Sequence, residues 1–488
     1  MTEKIIETYD FTTNDIPVTV KIVRTDADFV LNYVLSLPEI SNPTKLVLEK
    51  IRRDLIKSVS FNIMDITELK KRLNIDEQLK KTIDLLVVRY FPDVEQDIHN
   101  FLVSWLIQRS IGMGNIEFLM NDKHLEEITI NSFTEPVWVY HIKHGWLKTN
   151  ITIDSEEQIK HYASMIGRKV GRQLTALMPL LDAYLDNDRV NATLAPISTK
   201  GNTITIRKFA RDPWTITKLL QNKTISVKAA CLIWLAMQYE LSALVIGGTA
   251  SGKTSTLNVL GSFFPPNQRI ISIEDTREIS LPKYLHWVPL LTRMPNAEGR
   301  GLISMEDLLV NSLRMRPDRL IVGEVRRREE ATTLFEAIHT GHSVYSTFHA
   351  NDSNEAVTRL LNPPISVPKT MLPGLSLMIT QFRNRRTGVR RIFEIAEITP
   401  DAAPNVIMRY DFKTDSIRET GKSVSLMNTL KHVTGMSDRE IEESLKEKET
   451  VLNYLIKKNI TDVNDVGMII AKYYSDPKSL LEEISKNK

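Results

Sequence analysis

The densest concentration of chemically useful residues is GGTASGKT, Gly247 to Thr254, which fits the spacing G-x-x-x-x-G-K-[ST]. Its glycines let the backbone turn tightly, so that successive N–H groups can converge on a phosphate at a helix N-terminus. In that arrangement Gly247, Gly248, Thr249, Ala250, Ser251, Gly252, Lys253, Thr254 and Ser255 surround a nucleotide. Lys253 then reaches the β- and γ-phosphates, and the Thr254 hydroxyl is available to Mg²⁺. The apolar run LSALVIG before the loop reads as a buried strand, and STLNVLGSFF after it reads as a helix. That context is what separates a working loop from a chance match.

ATP hydrolysis also needs carboxylates. RLIVGE is an apolar strand whose last residue, Glu324, would emerge at the rim where open α/β sheets bind ligands, and there it can take a proton from an attacking water. Gly323 precedes it, so the Asp that many phosphate-loop proteins use for Mg²⁺ in this strand is absent. The acids of ISIEDTRE, Glu274, Asp275 and Glu278, are the candidates to replace it, because carboxylates this close raise one another's pKa unless a cation compensates. TGHSVYSTFHAND places His342 and His349 at the two ends of an apolar strand, with Thr347 and Asn351 nearby. A lone histidine there is more often structural than catalytic. Zinc is not expected without thiols or a third well-spaced histidine.

The elements that must hold these residues follow from periodicity. From Pro213 to about residue 395, apolar runs (ALVIG, RIISIED, RLIVGE, SVYSTFH) alternate with helical segments, the pattern of a doubly wound α/β domain. RDPWTITKLL before it reads as a hinge. Residues 101–212 mix a helix (HNFLVSWLIQRSI) with alternating strands (EEITINS, EPVWVYHIKHGWLKT, NTITIRKFA), as an α+β domain does. Residues 1–100 show VTVKIV and the helical stretch LVLEKIRRDLIKSVSFNIMDITELKKRL, a packing or docking domain without evident chemistry. Beyond 399, strand-like NVIMRYDF leads into helices whose charge runs read as solvated faces.

Composition limits the alternatives. The chain has 488 residues, of which 42% are hydrophobic, enough for more than one core. Its net charge of +3, from 63 Lys+Arg against 60 Asp+Glu, gives no global drive toward nucleic acid. The single cysteine, Cys231, lies in an apolar run and is expected to be buried. The start, MTEKIIETYD, lacks a signal-peptide pattern, and no window has the roughly 20 apolar residues of a membrane span, so a cytoplasmic protein is expected.

Taken in order, GGTASGKT, ISIEDTRE, RLIVGEVR and TGHSVYSTFHAND resemble the Walker A, Asp box, Walker B and His box of the type II/type IV secretion ATPase superfamily, and the tail is similar to its archaeal pilus and archaellum branch. The resemblance implies a RecA-like ATPase core preceded by an α+β N-terminal domain. It also implies a Mg²⁺-dependent ATPase and a homo-hexamer that acts on a polytopic membrane platform protein and, indirectly, on pilin-like subunits; the near-neutral charge adds the expectation of no direct nucleic acid contact. On these positions it implies Lys253 and Thr254 on ATP and Mg²⁺, Glu274 and Glu278 in the Asp box with Glu274 near the metal, Glu324 at the catalytic water, and His349 near the γ-phosphate. Arginines from the N-terminal domain are implied to complete a neighbouring site; Arg172, Arg189 and Arg207 are the candidates. A DNA-transfer motor and a nucleotide-binding subunit without turnover are the alternatives. The chain departs from the bacterial pattern GEIRD, since Arg327 stands where an acid is usual, and it has no tetracysteine motif.

Overall fold

Strict alternation in VTVKIV sends Val18, Val20 and Ile22 to one buried face, and the same two-residue period recurs throughout the first half of the chain. The computed structural model describes residues 3–26, 28–58, 69–110, 112–185, 188–209, 213–295 and 299–486. It divides into two compact units, Met1–Phe209 and Ala210–Lys488.

The first unit is built on β1 (Lys4–Thr13), β2 (Ile16–Arg24), β3 (Asn32–Ser36), β4 (Leu125–Ile130), β5 (Trp138–His141), β6 (Gly145–Thr149), β7 (Leu180–Leu185), β8 (Asp188–Thr193) and β9 (Thr203–Arg207). They form one sheet in the order β1-β2-β3-β6-β5-β4-β9-β8-β7. A short parallel pairing of β3 with β6, Asn32 to Lys148 and Tyr33 to Thr149, carries this sheet across residue 100. The helices Asn42–Ser58, Leu69–Tyr90 and Gln96–Ser110 share a separate core of Leu48, Ile51, Ile83, Val87, Leu102 and Leu106. The middle of the helical stretch expected over LVLEK…KKRL, residues 59–68, lies outside the described residues, as do Arg211 and Asp212 of the expected hinge. After Pro213 the chain enters a helix, Ile216–Gln221, capped by the Thr215 hydroxyl on the Lys218 N–H.

The second unit is an α/β layer structure, with the doubly wound, mostly parallel sheet of a RecA-like core. Its strands are β10 (Ala243–Gly247), β11 (Arg269–Glu274), β12 (His286–Leu291), β13 (Arg319–Val322), β14 (Ser343–Phe348), β15 (Leu377–Arg383), β16 (Arg390–Ile398), β17 (Pro404–Asp411) and β18 (Ser416–Glu419). The order is β12-β11-β13-β14-β10-β15-β16-β17-β18. Every pairing from β12 to β15 is parallel, and those from β15 onward are antiparallel. All of β10 is buried, and its side chains alternate between two cores: Ala243 and Val245 enter one, Leu244 and Ile246 the other. A strand covered on both faces must be continuously apolar, which is why ALVIG shows no alternation.

The first of these cores also receives the helices Ser425–Thr434, Asp438–Lys457, Val463–Ser475 and Pro477–Lys486, through Leu430, Val451, Leu455, Ile470 and Ile484. They close over the helix Val227–Gln238, whose Trp234 stacks on Phe263 at 5.2 Å and donates from Nε1 to the Tyr474 hydroxyl at 2.9 Å. Cys231 is buried in that helix, as expected. The expectation that the charges of Asp438–Lys457 are all solvated fails at Lys448, which is fully buried. Its ammonium donates to Ser444 Oγ at 2.8 Å and lies 5.0 Å from the Tyr473 ring centre, a cation–π seat that compensates for lost water. No helix among the described residues is long and apolar enough to cross a membrane.

Candidate nucleotide site

The loop leaves the C-terminal end of β10 through Gly247 at φ 155° and enters the helix Lys253–Gly261 through Gly252 at φ 102°. At Gly247 a Cβ would lie 2.5 Å from the Gln381 carbonyl oxygen, so any side chain there would push β15 away. Gly252 takes the helix N-cap position and brings no capping side chain, leaving first-turn N–H groups for a ligand. Inside the loop the Gly248 carbonyl accepts from Ser251 Oγ at 2.9 Å and from Lys253 Nζ at 3.1 Å. Thr249 and Ala250 are exposed, and Thr254 and Ser255 are half-buried. Burial lowers the pKa of the Lys253 amine, against the opposing pull of Glu324 and Glu278.

Three parallel strands deliver the acids and the histidine. One strand, β14, stands between the loop's strand β10 and β13, and Glu324 follows the last residue of β13 by two positions. The turn after β13 is pinned on both sides: Gly323 N–H donates to the Ile273 carbonyl at 2.8 Å, and Val325 N–H to the Thr347 carbonyl at 3.0 Å. Thr347 Oγ1 adds a bond to the Gly323 carbonyl at 2.7 Å. The Glu324 carboxylate is thereby held, with Oε2 accepting from Arg326 Nη2 at 2.5 Å and Nε at 3.0 Å. Its other oxygen, Oε1, lies 3.1 Å from His349 Nε2 but has no aligned donor. Burial first, and then the Lys253 charge, hold the His349 imidazole below its usual pKa.

At the end of β11, Glu274 is 1% exposed. Its Oε1 accepts the backbone N–H groups of Glu278 at 2.8 Å and Ile279 at 2.9 Å, which shapes the turn carrying Glu278. Its Oε2 is buried with no partner. Burial therefore raises its pKa to about 7, overriding the two N–H bonds that pull it down. Asp275 accepts from Thr292 Oγ1 at 3.1 Å and from Arg326 Nη1 at 3.3 Å. Among the described residues no three His, Cys, Asp or Glu side chains are grouped to hold a metal by themselves. The orphaned Glu274 oxygen nevertheless fits the sparse protein ligation of Mg²⁺, which keeps most of its shell as water and phosphate oxygens.

The expected residues thus separate into groups. Glu324 and His349 stand 3.1 Å apart, and Glu274 stands beside Gly323 on the neighbouring strand end. His342, the residue before β14, has Nδ1 3.2 Å from Thr340 Oγ1. Arg189 and Arg207 belong to the first unit's sheet, where Arg207 pairs in register with Arg189 on one side and Glu127 on the other. Arg189 makes a two-pronged bond to Asp182, at 3.1 and 2.8 Å. Arg172 follows the helix Glu156–Lys169, its N–H bonded to the Gly167 carbonyl at 2.7 Å.

Two further side chains matter here, the first of them the arginine whose local ion pair the departure from GEIRD puts in question. Arg326 bonds both Glu324 and Asp275, so the basic Arg327 removes no partner from it; Glu330 instead accepts the backbone N–H groups of Arg326 and Arg327 at 2.8 and 3.1 Å. Gln381 donates from Nε2 to Thr256 Oγ1 on the loop's helix. The motif reading GEVRR contained the first signal, but nothing local announced the second, whose partner is a strand pairing away.

Residues 181–413 match the family model described as type II/IV secretion system protein. An uncharacterized protein of Methanocaldococcus jannaschii is 35% identical over 377 residues, which cover 75% of this chain and 68% of that protein. The type IV secretion system protein PtlH of Bordetella pertussis is 30% identical over 265 residues, 49% of this chain and 77% of that one. Among solved structures, the Legionella pneumophila ATPase DotB aligns with a TM-score of 0.42 at 19% identity, covering 73% of this chain and 94% of that chain. The family-model match and these sequence relatives, on a chain with a G-x-x-x-x-G-K-[ST] loop, a glutamate and a histidine at the ends of parallel strands, place it in the type II/IV secretion system protein family.

Proposed function

We propose that this chain is one subunit of a homo-hexameric motor that hydrolyses ATP, with Mg²⁺, to ADP and phosphate. It works at the cytoplasmic face of a membrane and drives assembly of type IV pilus-like filaments through a polytopic platform protein. The observation that carries the catalytic part is geometric: Lys253 opens the helix that follows the loop, while Glu324, just past β13, is gripped by Arg326 and lies 3.1 Å from His349, just past β14. Lys253 exchanges its bond to the Gly248 carbonyl for the β- and γ-phosphate oxygens. Glu324 Oε1, which has no aligned donor, accepts a proton from the water that attacks the γ-phosphorus as the bond to the ADP oxygen breaks. Arg326 orients this carboxylate through its two bonds to Oε2, and His349 is set to donate to a γ-phosphate oxygen. Mg²⁺, carried by Thr254 and Glu274 with water and phosphate, would neutralise charge developing on the phosphates. Arg207 and Arg189 are assigned to the site of a neighbouring subunit. The filament-building role rests on the archaeal character of the tail and on the absence of global basic charge.

The catalytic reading is tested by two variants of the purified protein. Lys253→Ala is expected to lose both binding of a fluorescent ATP analogue and phosphate release. Glu324→Gln keeps the shape without the base, so binding should persist while phosphate release falls about 10²- to 10⁴-fold. Loss of binding and turnover together in Glu324→Gln would make Glu324 a structural residue or a metal ligand.

A further inference from the structure

One loop residue breaks the usual backbone rule. Ala250 sits at φ 57°, in the left-handed region that its Cβ disfavours, and the spacing G-x-x-x-x-G-K-[ST] leaves this position free to be glycine. Such a conformation persists only where surrounding contacts hold it. The contact here comes from far along the chain: Arg390, the first residue of β16, donates from Nε to the Ala250 carbonyl at 3.2 Å. The Arg390 side chain also runs past Gly252, its Cδ 3.6 Å from where a Cβ would stand.

The strand pair behind Arg390 is anchored at both ends. Residue Gln381 of β15 pairs in register with Gly247, and its side chain reaches the loop's helix. On the other side Arg391 grips Asp415 at 2.8 and 3.0 Å and donates to the carbonyls of Asn222 at 3.1 Å and Arg390 at 2.9 Å. The neighbours therefore differ in role: Arg391 is spent on an acid, whereas Arg390 forms no ion pair with an acid among the described residues and is aimed at the loop.

We infer that Arg390 is a positioning residue for the phosphate loop, bracing the β15–β16 hairpin against Ala250 so that the loop's N–H groups stay converged for phosphate. This rests on the reading of Gly247–Thr254 as a nucleotide loop. A brace acts equally on bound ground state and transition state, so it changes affinity and leaves the chemical step alone.

The test uses the full chain, measuring binding of fluorescent ATP and ADP analogues per folded molecule together with phosphate release. Arg390→Ala is expected to weaken both nucleotides about five- to tenfold, with kcat at saturating ATP within about twofold. Arg390→Lys should recover part of the loss, because an ammonium can still donate to the carbonyl. Ala250→Gly removes the Cβ that makes the conformation costly, so in that background losing Arg390 should weaken binding less than about twofold. An equal loss in both backgrounds, or a fall in kcat at unchanged affinity, would overturn the brace. Unchanged binding in Arg390→Ala while Lys253→Ala abolishes it would also overturn the brace and leave the loop assignment standing. Unchanged binding in both would remove the loop reading itself.

Discussion

The sheet of the second unit buries carboxylates in both of its flanks, and the two flanks treat them differently. In the antiparallel flank Glu397 on β16 is fully buried and accepts four bonds, from Asn405 Nδ2 at 2.7 Å, Ser423 Oγ at 2.8 Å, and the N–H groups of Val424 at 2.9 Å and Leu426 at 2.8 Å. Burial alone would raise its pKa, but these donors outweigh burial and lower it. In the parallel flank Glu274 and Glu324 each keep one buried oxygen without an aligned donor. A saturated carboxylate is a structural joint between a strand and the segment 423–426. An unsaturated one keeps an acceptor that water or a bound cation can fill.

Removing each type of carboxylate should separate the two flanks. Glu397→Ala leaves two backbone N–H donors stranded in the interior and is expected to cost about 3 kcal/mol of stability in urea unfolding, with hydrolysis per folded molecule retained. If it left stability unchanged and abolished turnover, the division would be reversed.

Glu274→Gln should act in the opposite direction. A folded-state pKa of about 7, raised above the ordinary 4.5, means that the fold favours the protonated acid. Its contribution is intact below pH 4.5 and is lost as pH rises toward 7, up to about 3 kcal/mol. The amide is neutral at every pH and can keep the N–H bonds on Oε1. Without nucleotide or Mg²⁺, the variant should therefore melt higher than the parent at pH 8 and close to it at pH 4.5. A variant that melts lower at pH 8 would show that the carboxylate is already compensated there.

The smallest effect is expected at Arg327→Asp, which restores the acid of the bacterial pattern. Arg326 already spends its fork on Glu324 and Asp275, so the new acid should change stability by no more than about 0.5 kcal/mol and turnover by less than about threefold. A large gain in turnover would mean that Arg326 is badly placed in the parent chain.

How much of this was legible beforehand depended on sequence distance. The loop could be read because strand, turn and helix are consecutive, and local pattern carries all three. ISIED, RLIVGE and SVYSTFH were each visible as strands; Glu274 ends the first, and Glu324 and His349 lie just beyond the other two. What joins them was not visible. Arg326 to Asp275, Gln381 to Thr256 and Arg390 to Ala250 each span 51 residues or more and depend on strand order, which periodicity does not encode. The buried Lys448 was misread for a related reason. Its neighbours in sequence are Glu447 and Glu449, and only the seat made by Trp234 and Tyr473, brought by other helices, distinguishes it from a solvated lysine.

The helix Val227–Gln238 has a consequence for how the chain comes into being. Nine consecutive residues of it, Ala229 to Met237, are buried, and part of their cover is supplied by Val451, Leu455 and Ile470. At a synthesis rate of roughly 5 to 20 residues per second, that apolar surface stays uncovered on the nascent chain for on the order of ten seconds or more. Until the later helices arrive, the half-made core is a target for chaperones and for other nascent copies. A chain stopped near residue 413, where the family match ends, would carry that exposed surface permanently.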